Sequence, residues 1–469
     1  MIGNTARSGE GPALAGSVEE ILHRAGAVPA ATSFPGVDEL IARFDAIAAA
    51  HPGSIERRRI GTSRRGEPIP MYSVGSGRRN HLVVGGVHPN EPIGALTALH
   101  LAQALADRDP FLEALDARWH IVPCIDPDGA RLNEAWFSEP GDRRHYGRHF
   151  YRPAPTQQVE WSFPTDYKRA YFDEVTSESQ ALMRVIDRVQ PDLYVALHNG
   201  EMGGVYYYLS RPVPALHEVL HAIPAGLGLP LDTGEPEAPH LESFAPAIFG
   251  MGTIGETYDY YEALGVDPVS VVGGSSSSEY ASRYGTLSLI AELPYWTHPD
   301  SDDVSPIDET YAHLLRRTAH GMRELHSSLA SILERAEPHL VLETPFLEAT
   351  RAFVPMFASA AEADEARAQD AAAARPATVA ERFGCEDILQ CFRLRYGGML
   401  LRALEAETSA GTAGPELHRL AAETAELYRE WQSRPSIADD ASVVPLALLV
   451  GVQYGATLAA AVAVRDSGA

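Results

Sequence analysis

A chain of 469 residues exceeds what one ordinary hydrophobic core organises, so a large domain with a smaller companion is expected. Hydrophobic residues at 45% and charged residues at 22% fit a globular protein, while a formal net charge of −25 repels phosphate backbones and argues against nucleic-acid binding. Cys124, Cys385 and Cys391 make neither a disulfide framework nor a close pair for structural zinc, which fits a reducing compartment, the cytoplasm.

Residues 1–34 read as an N-terminal extension. Its first stretch, Met1–Gly16, is rich in Gly and Ala, carries Arg7 and Glu10, and lacks the apolar core of a signal peptide. From there to about residue 336, short β-branched runs alternate with stretches of helical period. The runs are His81–Val87, Trp119–Cys124, Asp192–Leu197, Val205–Leu209 and Thr286–Ala291; Pro92–Ala106 and Ser177–Val189 are among the helical stretches. This alternation predicts an α/β domain over residues 35–336, with helices on both faces of a parallel or mixed sheet, closed by a long helix over Ile307–Ala336. Within it, Glu134–Asp166 is rich in Arg, Tyr and Pro without clear periodicity, the character of a functional loop.

Beyond Pro338 the composition shifts. Phe346–Arg375, Val379–Glu407, Glu416–Trp431 and Leu446–Val464 read as helices, with no strand pattern, so residues 337–469 are expected to form an all-α bundle. Leu446–Val464 is apolar enough to raise the question of a membrane. Gln453, Tyr454, Thr457, Gly451 and Gly455 suit close helix packing, and a buried helix is expected in preference to an anchor.

The most informative segment is Leu82-Val83-Val84-Gly85-Gly86-Val87-His88-Pro89-Asn90-Glu91-Pro92. A buried strand runs into two glycines, which allow a sharp turn, and His88 follows at the carboxyl end, where ligands of open α/β sheets gather. Pro92 suits a helix start, so Glu91 lies just before a first turn. A His and a Glu so placed can converge on one ion. Catalytic zinc needs three protein donors and an open position. His198 is the best third donor, because Leu193–Leu197 is a second buried strand ending at a histidine. His88, Glu91 and His198 then form a His₂Glu set for one zinc per chain. Glu201 would oversupply that ion and reads as a pocket residue.

These residues resemble the zinc carboxypeptidase family, and four pieces match in order across residues 35–300. They are Gly61-Thr62-Ser63-Arg64-Arg65-Gly66-Glu67-Pro68-Ile69, the His88…Glu91 pair, Asp126-Pro127-Asp128-Gly129, and Gly273-Gly274-Ser275-Ser276 followed by the run Thr286–Leu293. The resemblance implies a mixed eight-stranded sheet and assigns Glu292 as general base. Independently, a Glu closing the buried run Leu287–Ala291 is costly in a core and calls for a purpose.

The chain also departs from that family. The adjacent Asn-Arg pair that holds a substrate carboxylate is missing between Gly129 and His198, where the corresponding stretch reads Val159-Glu160-Trp161-Ser162-Phe163-Pro164. The run Asp267–Val272 before Gly273 offers no tyrosine, and the motif after the strand reads Glu292-Leu293-Pro294-Tyr295. Five arginines, Arg131, Arg143, Arg144, Arg148 and Arg152, crowd the irregular segment and the turn before it. By distance from the Asp-Pro-Asp-Gly turn, Arg143 or Arg144 best suits the stabilisation of an oxyanion. The expected function is a zinc-dependent hydrolase, foremost a carboxypeptidase acting on a peptide or peptide-like metabolite. Alternatives are an amidase or deacylase of a small N-acyl compound, as in the aspartoacylase and succinylglutamate desuccinylase branch that shares this site, and a non-catalytic binding protein on the same scaffold.

Overall fold

Nine strands join into one mixed sheet in the computed structural model, which describes residues 14–234, 238–270 and 273–467. The first part of the N-terminal extension, 1–13, and Val271-Val272 lie outside the described residues. The strands are β1 (Ile55–Thr62), β2 (Pro68–Val74), β3 (Arg79–Gly85), β4 (Ala117–Val122), β5 (Leu193–Leu197), β6 (Tyr206–Leu209), β7 (Ser243–Ala245), β8 (Ile248–Gly250) and β9 (Leu287–Glu292). They lie in the order β1-β2-β4-β3-β5-β9-β6-β8-β7. This is one strand more than the eight expected. The last two strands at one edge, β8 and β7, have three residues each, too short to leave a period in the sequence.

The centre of the sheet is parallel. β3 pairs with β5, and β5 with β9, so that Gly85, Leu197 and Ala291 stand in one row. Alternate residues of these strands enter different cores. Val83, Val195, Leu197, Leu289 and Ala291 face one side; Leu82, Val84, Tyr194, Ala196 and Ile290 face the other. Burial on both faces explains why the strands read as unbroken apolar runs.

The helices that cover the sheet and form the C-terminal region are α1 (Leu14–Gly26), α2 (Val37–Ala50), α3 (Ile93–Ala106), α4 (Arg143–His149), α5 (Ser177–Val189), α6 (Pro214–Gly226), α7 (Tyr311–Ala336), α8 (Pro345–Arg367), α9 (Val379–Ala410), α10 (Pro415–Ser433) and α11 (Leu446–Asp466). Core residues of α3, α6 and α11 share the first face, while Leu182, Val185 and Ile186 of α5 cover the second. A Cβ on Gly94 of α3 would lie 2.7 Å from the Leu197 Cβ, so a glycine lets this helix press directly on β5.

The helical C-terminal region is present, with two local departures. Pro306–Thr310 and Pro376–Thr378 pair as short strands, so α7 starts at Tyr311, where the Thr310 side chain caps it, rather than at Ile307. Ser442–Val443 likewise pairs with Trp296–Thr297. Both partners come from the α/β region, and pairing across such distances leaves no local pattern. Helices α7, α8, α9 and α10 pack on one another, whereas α11 leaves them to lie against α1, α3, α6, β5 and β9. Helix α11 is long and apolar enough to cross a membrane, yet 83% of its apolar window is buried inside the protein. A Cβ on Gly451 would come 2.4 Å from the Ala25 carbonyl oxygen, and Gln453 Nε2 donates to the His198 carbonyl oxygen at 2.7 Å. The apolar character of this helix therefore matches a place under the central sheet.

The expected irregular segment is partly helical. Asp142 accepts hydrogen bonds from the backbone N–H of Arg144 and His145 and so starts α4. Upstream, the Asp-Pro-Asp-Gly turn ties down the early hairpin: Ser63 donates to Asp128 at 2.7 Å, and Arg65 N–H donates to its other oxygen at 2.9 Å. Asp126 caps the same turn by accepting from Gly129 N–H at 2.9 Å. A Cβ on Gly129 would fall 2.5 Å from the Asp126 carboxylate and 2.7 Å from Pro89, so the turn backs closely onto the His88 loop.

Two outcomes follow. Because α11 is covered by protein on most of its surface, the full chain should be recovered after cell lysis without detergent; recovery only in the membrane pellet would refute this packing. Burial raises the Asp126 carboxyl from its ordinary 3.8 to about 7. Between those values folding takes up a proton, so its contribution to stability falls as pH rises from about 4 to about 7. Asp126→Asn retains an acceptor for Gly129 without that titration. Its melting temperature relative to wild type should climb across the same window, and a pH-independent difference would count against the burial argument.

Candidate metal centre and catalytic cleft

The parallel trio β3, β5 and β9 determines where the chemistry lies. One residue beyond the common row, β5 gives way to His198 and β9 ends in Glu292; β3 turns through Gly85-Gly86-Val87 to His88. Gly86 adopts φ +69, and a Cβ there would lie 2.9 Å from the Cys124 sulfur, so the turn requires glycine. The Glu91 N–H closes a turn onto the His88 carbonyl at 3.1 Å, directly before α3.

His88, Glu91 and His198 thereby converge, with one donor atom of each lying within 4.8 Å of the others. All are buried: His88 and His198 are each 3% exposed, Glu91 5% and Glu292 7%. His198 Nδ1 is 3.1 Å from one Glu91 oxygen and 3.7 Å from a Glu292 oxygen. The two imidazole rings meet edge to face at 4.9 Å. Burial, with Arg152 and His198 nearby, lowers the His88 pKa well below 6.5 and keeps that ring a neutral donor. Burial also opposes a proton on His198, but Glu160, Glu91 and Glu292 outweigh it and raise its pKa well above 6.5.

This donor set fits zinc. Two imidazoles and a carboxylate are a known catalytic set, and the buried His88 Nδ1 has no hydrogen-bond partner within the protein. A cation there would satisfy that atom and take up the negative charge now facing His198.

Two neighbours of the centre were missed in the sequence. Glu160 is buried, its two oxygens share the Ser277 hydroxyl donor at 2.9 and 3.0 Å, and it lies 3.8 Å from His198 Nε2. A carboxylate behind a metal-binding histidine orients the ring and raises its basicity. The available signal was a Glu between Val159 and Trp161 in the stretch aligned with the absent Asn-Arg pair. Arg152 is the second, with its guanidinium 3.4 Å from the other Glu91 oxygen.

Arg143 and Arg144, the arginines expected at the oxyanion, are drawn elsewhere. Arg143 makes two hydrogen bonds to Asp387 of α9, at 2.7 and 2.9 Å, and Arg144 reaches Asp439 at 3.3 Å. The cause is α4: once Asp142 starts a helix, positions 143 and 144 turn toward the C-terminal helices. Arg131 binds Asp38 and Glu67, and Arg148 binds Glu405. Of the five arginines, Arg152 is the one that contacts the metal-binding set.

The centre opens into a cavity of about 1140 Å³, lined by Arg152, Glu201, Glu292, Tyr206, Tyr208 and Phe249 and, from α9, by Phe383, Asp387 and Arg395 among others. Gly273, Gly274 and Ser276 form part of its wall. Phe163 and Ser275 exchange backbone hydrogen bonds at 2.9 and 3.2 Å, and a Cβ on Gly274 would lie 2.5 Å from the Trp161 carbonyl oxygen. Glu201 accepts from the Tyr146 hydroxyl at 2.5 Å and pairs with Arg395, consistent with its reading as a pocket residue and not a fourth ligand.

Residues 40–226 match the zinc carboxypeptidase family. The match covers the strand-end pair His88 and Glu91 and also His198, supports a metallopeptidase-type hydrolase, and agrees with the resemblance read from the motifs. Among solved structures, the chain is similar to a metallo-carboxypeptidase from Burkholderia cenocepacia, at 17% identity over 55% of this chain and 60% of that protein, with a TM-score of 0.35. It is also similar to carboxypeptidase A from Helicoverpa armigera, at 14% identity over 75% of this chain and 80% of the other, TM-score 0.36. Bovine thrombin-activatable fibrinolysis inhibitor, in complex with tick carboxypeptidase inhibitor, aligns at 14% identity over 55% and 86%, TM-score 0.36. The match thus spans less than two thirds of the Burkholderia protein. No curated protein matches the chain.

The geometry of the donor set predicts close to one zinc per chain in the purified protein. His88→Ala and His198→Ala should each lose most of it by elemental analysis; full zinc in both variants would put the metal elsewhere.

Proposed function

We propose that this protein is a zinc-dependent hydrolase that cleaves a peptide or amide bond, foremost as a carboxypeptidase acting on a peptide or peptide-like metabolite. The observation that carries this reading is the placement of Glu292 beside a buried His88, Glu91 and His198 set on the wall of one large cavity.

His88, Glu91 and His198 would hold the zinc, which when bound acidifies water and polarises a carbonyl. Glu292 accepts the proton of the attacking water and returns it to the leaving nitrogen, a role open to a carboxylate that is not itself needed as a ligand. Arg152, replacing the expected Arg143 or Arg144, donates to the negative charge that develops on the carbonyl oxygen. Glu160 places a negative charge behind His198 Nε2. The tyrosines and Phe249 of the cavity exclude water around the scissile bond and receive apolar parts of the substrate.

A second reading, hydrolysis of a small N-acyl compound, is favoured by one observation, the lack of an Asn-Arg pair between Gly129 and His198. A non-catalytic scaffold is disfavoured, because neither a ligand nor Glu292 is lost. Turnover of a panel of free-carboxylate peptides, amidated peptides and N-acyl amino acids by zinc-loaded protein separates all three. No turnover of any member would refute the hydrolase reading, and turnover of N-acyl amino acids alone would replace the first reading with the second.

Glu292→Gln preserves shape and hydrogen bonding but cannot accept a proton. It should retain zinc and melting temperature while single-turnover rates fall by about 10²–10⁴, toward the upper end because one carboxylate serves both proton transfers. A wild-type rate at normal zinc content would remove Glu292 from the mechanism.

A further inference from the structure

The C-terminal helices carry a charge into the catalytic cavity. Helix α9 crosses α4 at close range because both have glycine at the contact. A Cβ on Gly147 would lie 2.7 Å from the Leu394 Cβ, and one on Gly398 would lie 2.8 Å from the Gly147 carbonyl oxygen. Arg402 fastens the crossing by donating to the His149 carbonyl at 2.8 Å and the Phe150 carbonyl at 3.2 Å. This approach brings Arg395 to the wall that also includes His88, Arg152 and Glu292.

Arg395 is 8% exposed and sits beside the rings of Tyr146 and Phe150, at 5.7 and 5.0 Å. Its Nε is buried without a hydrogen-bond partner. Its terminal nitrogen contacts the Glu201 carboxylate and the Cys391 sulfur, the latter at 3.3 Å. Of the α9 carboxylates on this wall, Asp387 is held by Arg143 and Glu381 by Arg375. Arg395 thus has one anionic partner.

The charge balance of the cavity changes with metal. Glu91 faces Arg152, but its charge is committed once a cation is bound. Two guanidinium groups, Arg152 and Arg395, then line the same cavity, and Glu201 is the carboxylate in contact with Arg395. A buried ion pair contributes little stability for its desolvation cost, and an arginine left with an unused N–H is poorly served as a structural tie. A planar donor fork in an apolar, aromatic-lined space is instead suited to binding a carboxylate on two sides.

We propose that Arg395 is the receptor for a carboxylate of the substrate, with Glu201 as the counterion it exchanges, so that the C-terminal helical region sets substrate class. The proposal rests on the hydrolase reading of the same cavity and names the group that its substrate presents. Arg395 lies on a different element from Arg152, which leaves Arg152 for the reacting carbonyl.

The test is calorimetric binding of 3-phenylpropanoic acid, which has no amide bond to cleave, and of its amide to the zinc-loaded full-length protein. Wild type should bind the acid about 10- to 100-fold more tightly than the amide. Arg395→Met should bring the two affinities together. Glu201→Gln removes the competing carboxylate and should widen the difference, with a lowered melting temperature that the acid restores more than the amide does. Should Arg395→Met fail to fold, the Glu201→Gln result stands alone. Equal binding of acid and amide by wild type, an undiminished preference in Arg395→Met, or a reduced preference in Glu201→Gln would each overturn the proposal. Failure of the hydrolase reading shows separately, as absence of turnover across the substrate panel.

Discussion

Three adjacent parallel strands end at one level, and the rest of the site depends on that alignment. Backbone hydrogen bonds hold Gly85, Leu197 and Ala291 in a row, and apolar side chains on both faces prevent any strand from slipping. A shift of one residue would exchange the two faces of a strand and drive its core side chains into the wrong layer. Register is therefore imposed by burial, and the residues that follow the row inherit their positions from it. His198 and Glu292 need no further device to stand side by side.

Polar groups at such an edge have to be satisfied where the sheet no longer supplies partners. The structure does this from several directions. Gln453 of α11 donates to the His198 carbonyl, Asn199 N–H donates to Glu91 at 3.3 Å, and the Tyr295 hydroxyl donates to the Asn90 carbonyl at 3.1 Å. Behind His198, Tyr194 donates to Ser277 and Ser277 to Glu160, so a chain of hydroxyls ends on the carboxylate that faces His198 Nε2. What remains without a partner within the protein includes His88 Nδ1, on the set of side chains that could hold a cation.

The C-terminal helices are joined to this arrangement and are not a detached appendage. Helix α11 supports the floor of the sheet, whereas α9 forms a wall of the cavity and takes Arg143 out of it through Asp387. A single hydrophobic core accordingly contains residues from Ile21 to Val464. Loss of the last helices would remove both the donor on the His198 carbonyl and the cavity side that carries Arg395.

Much of the site was legible in the sequence because it is encoded locally. An apolar run followed by Gly-Gly and a histidine, or by a lone buried glutamate, has few physical explanations, and His88, Glu91, His198 and Glu292 follow from such runs. The α/β order and the C-terminal helices follow from periodicity for the same reason, although the helix expected over Phe346–Arg375 ends at Arg367. The arginines were not decided that way. Five similar residues in one segment differ only in which distant carboxylate each reaches, and Asp142, by starting a helix, rotates Arg143 and Arg144 toward acids almost 250 to 300 residues away, leaving Arg152 at Glu91. The course of α11 and the roles of Glu160 and Arg395 were equally out of reach, since an apolar helix, a glutamate between apolar residues and a helical arginine are each compatible with several environments. Sequence determined what could bind a metal, because backbone and burial act on neighbours; tertiary structure decided which charges surround it, because pairing between charges acts across the whole chain.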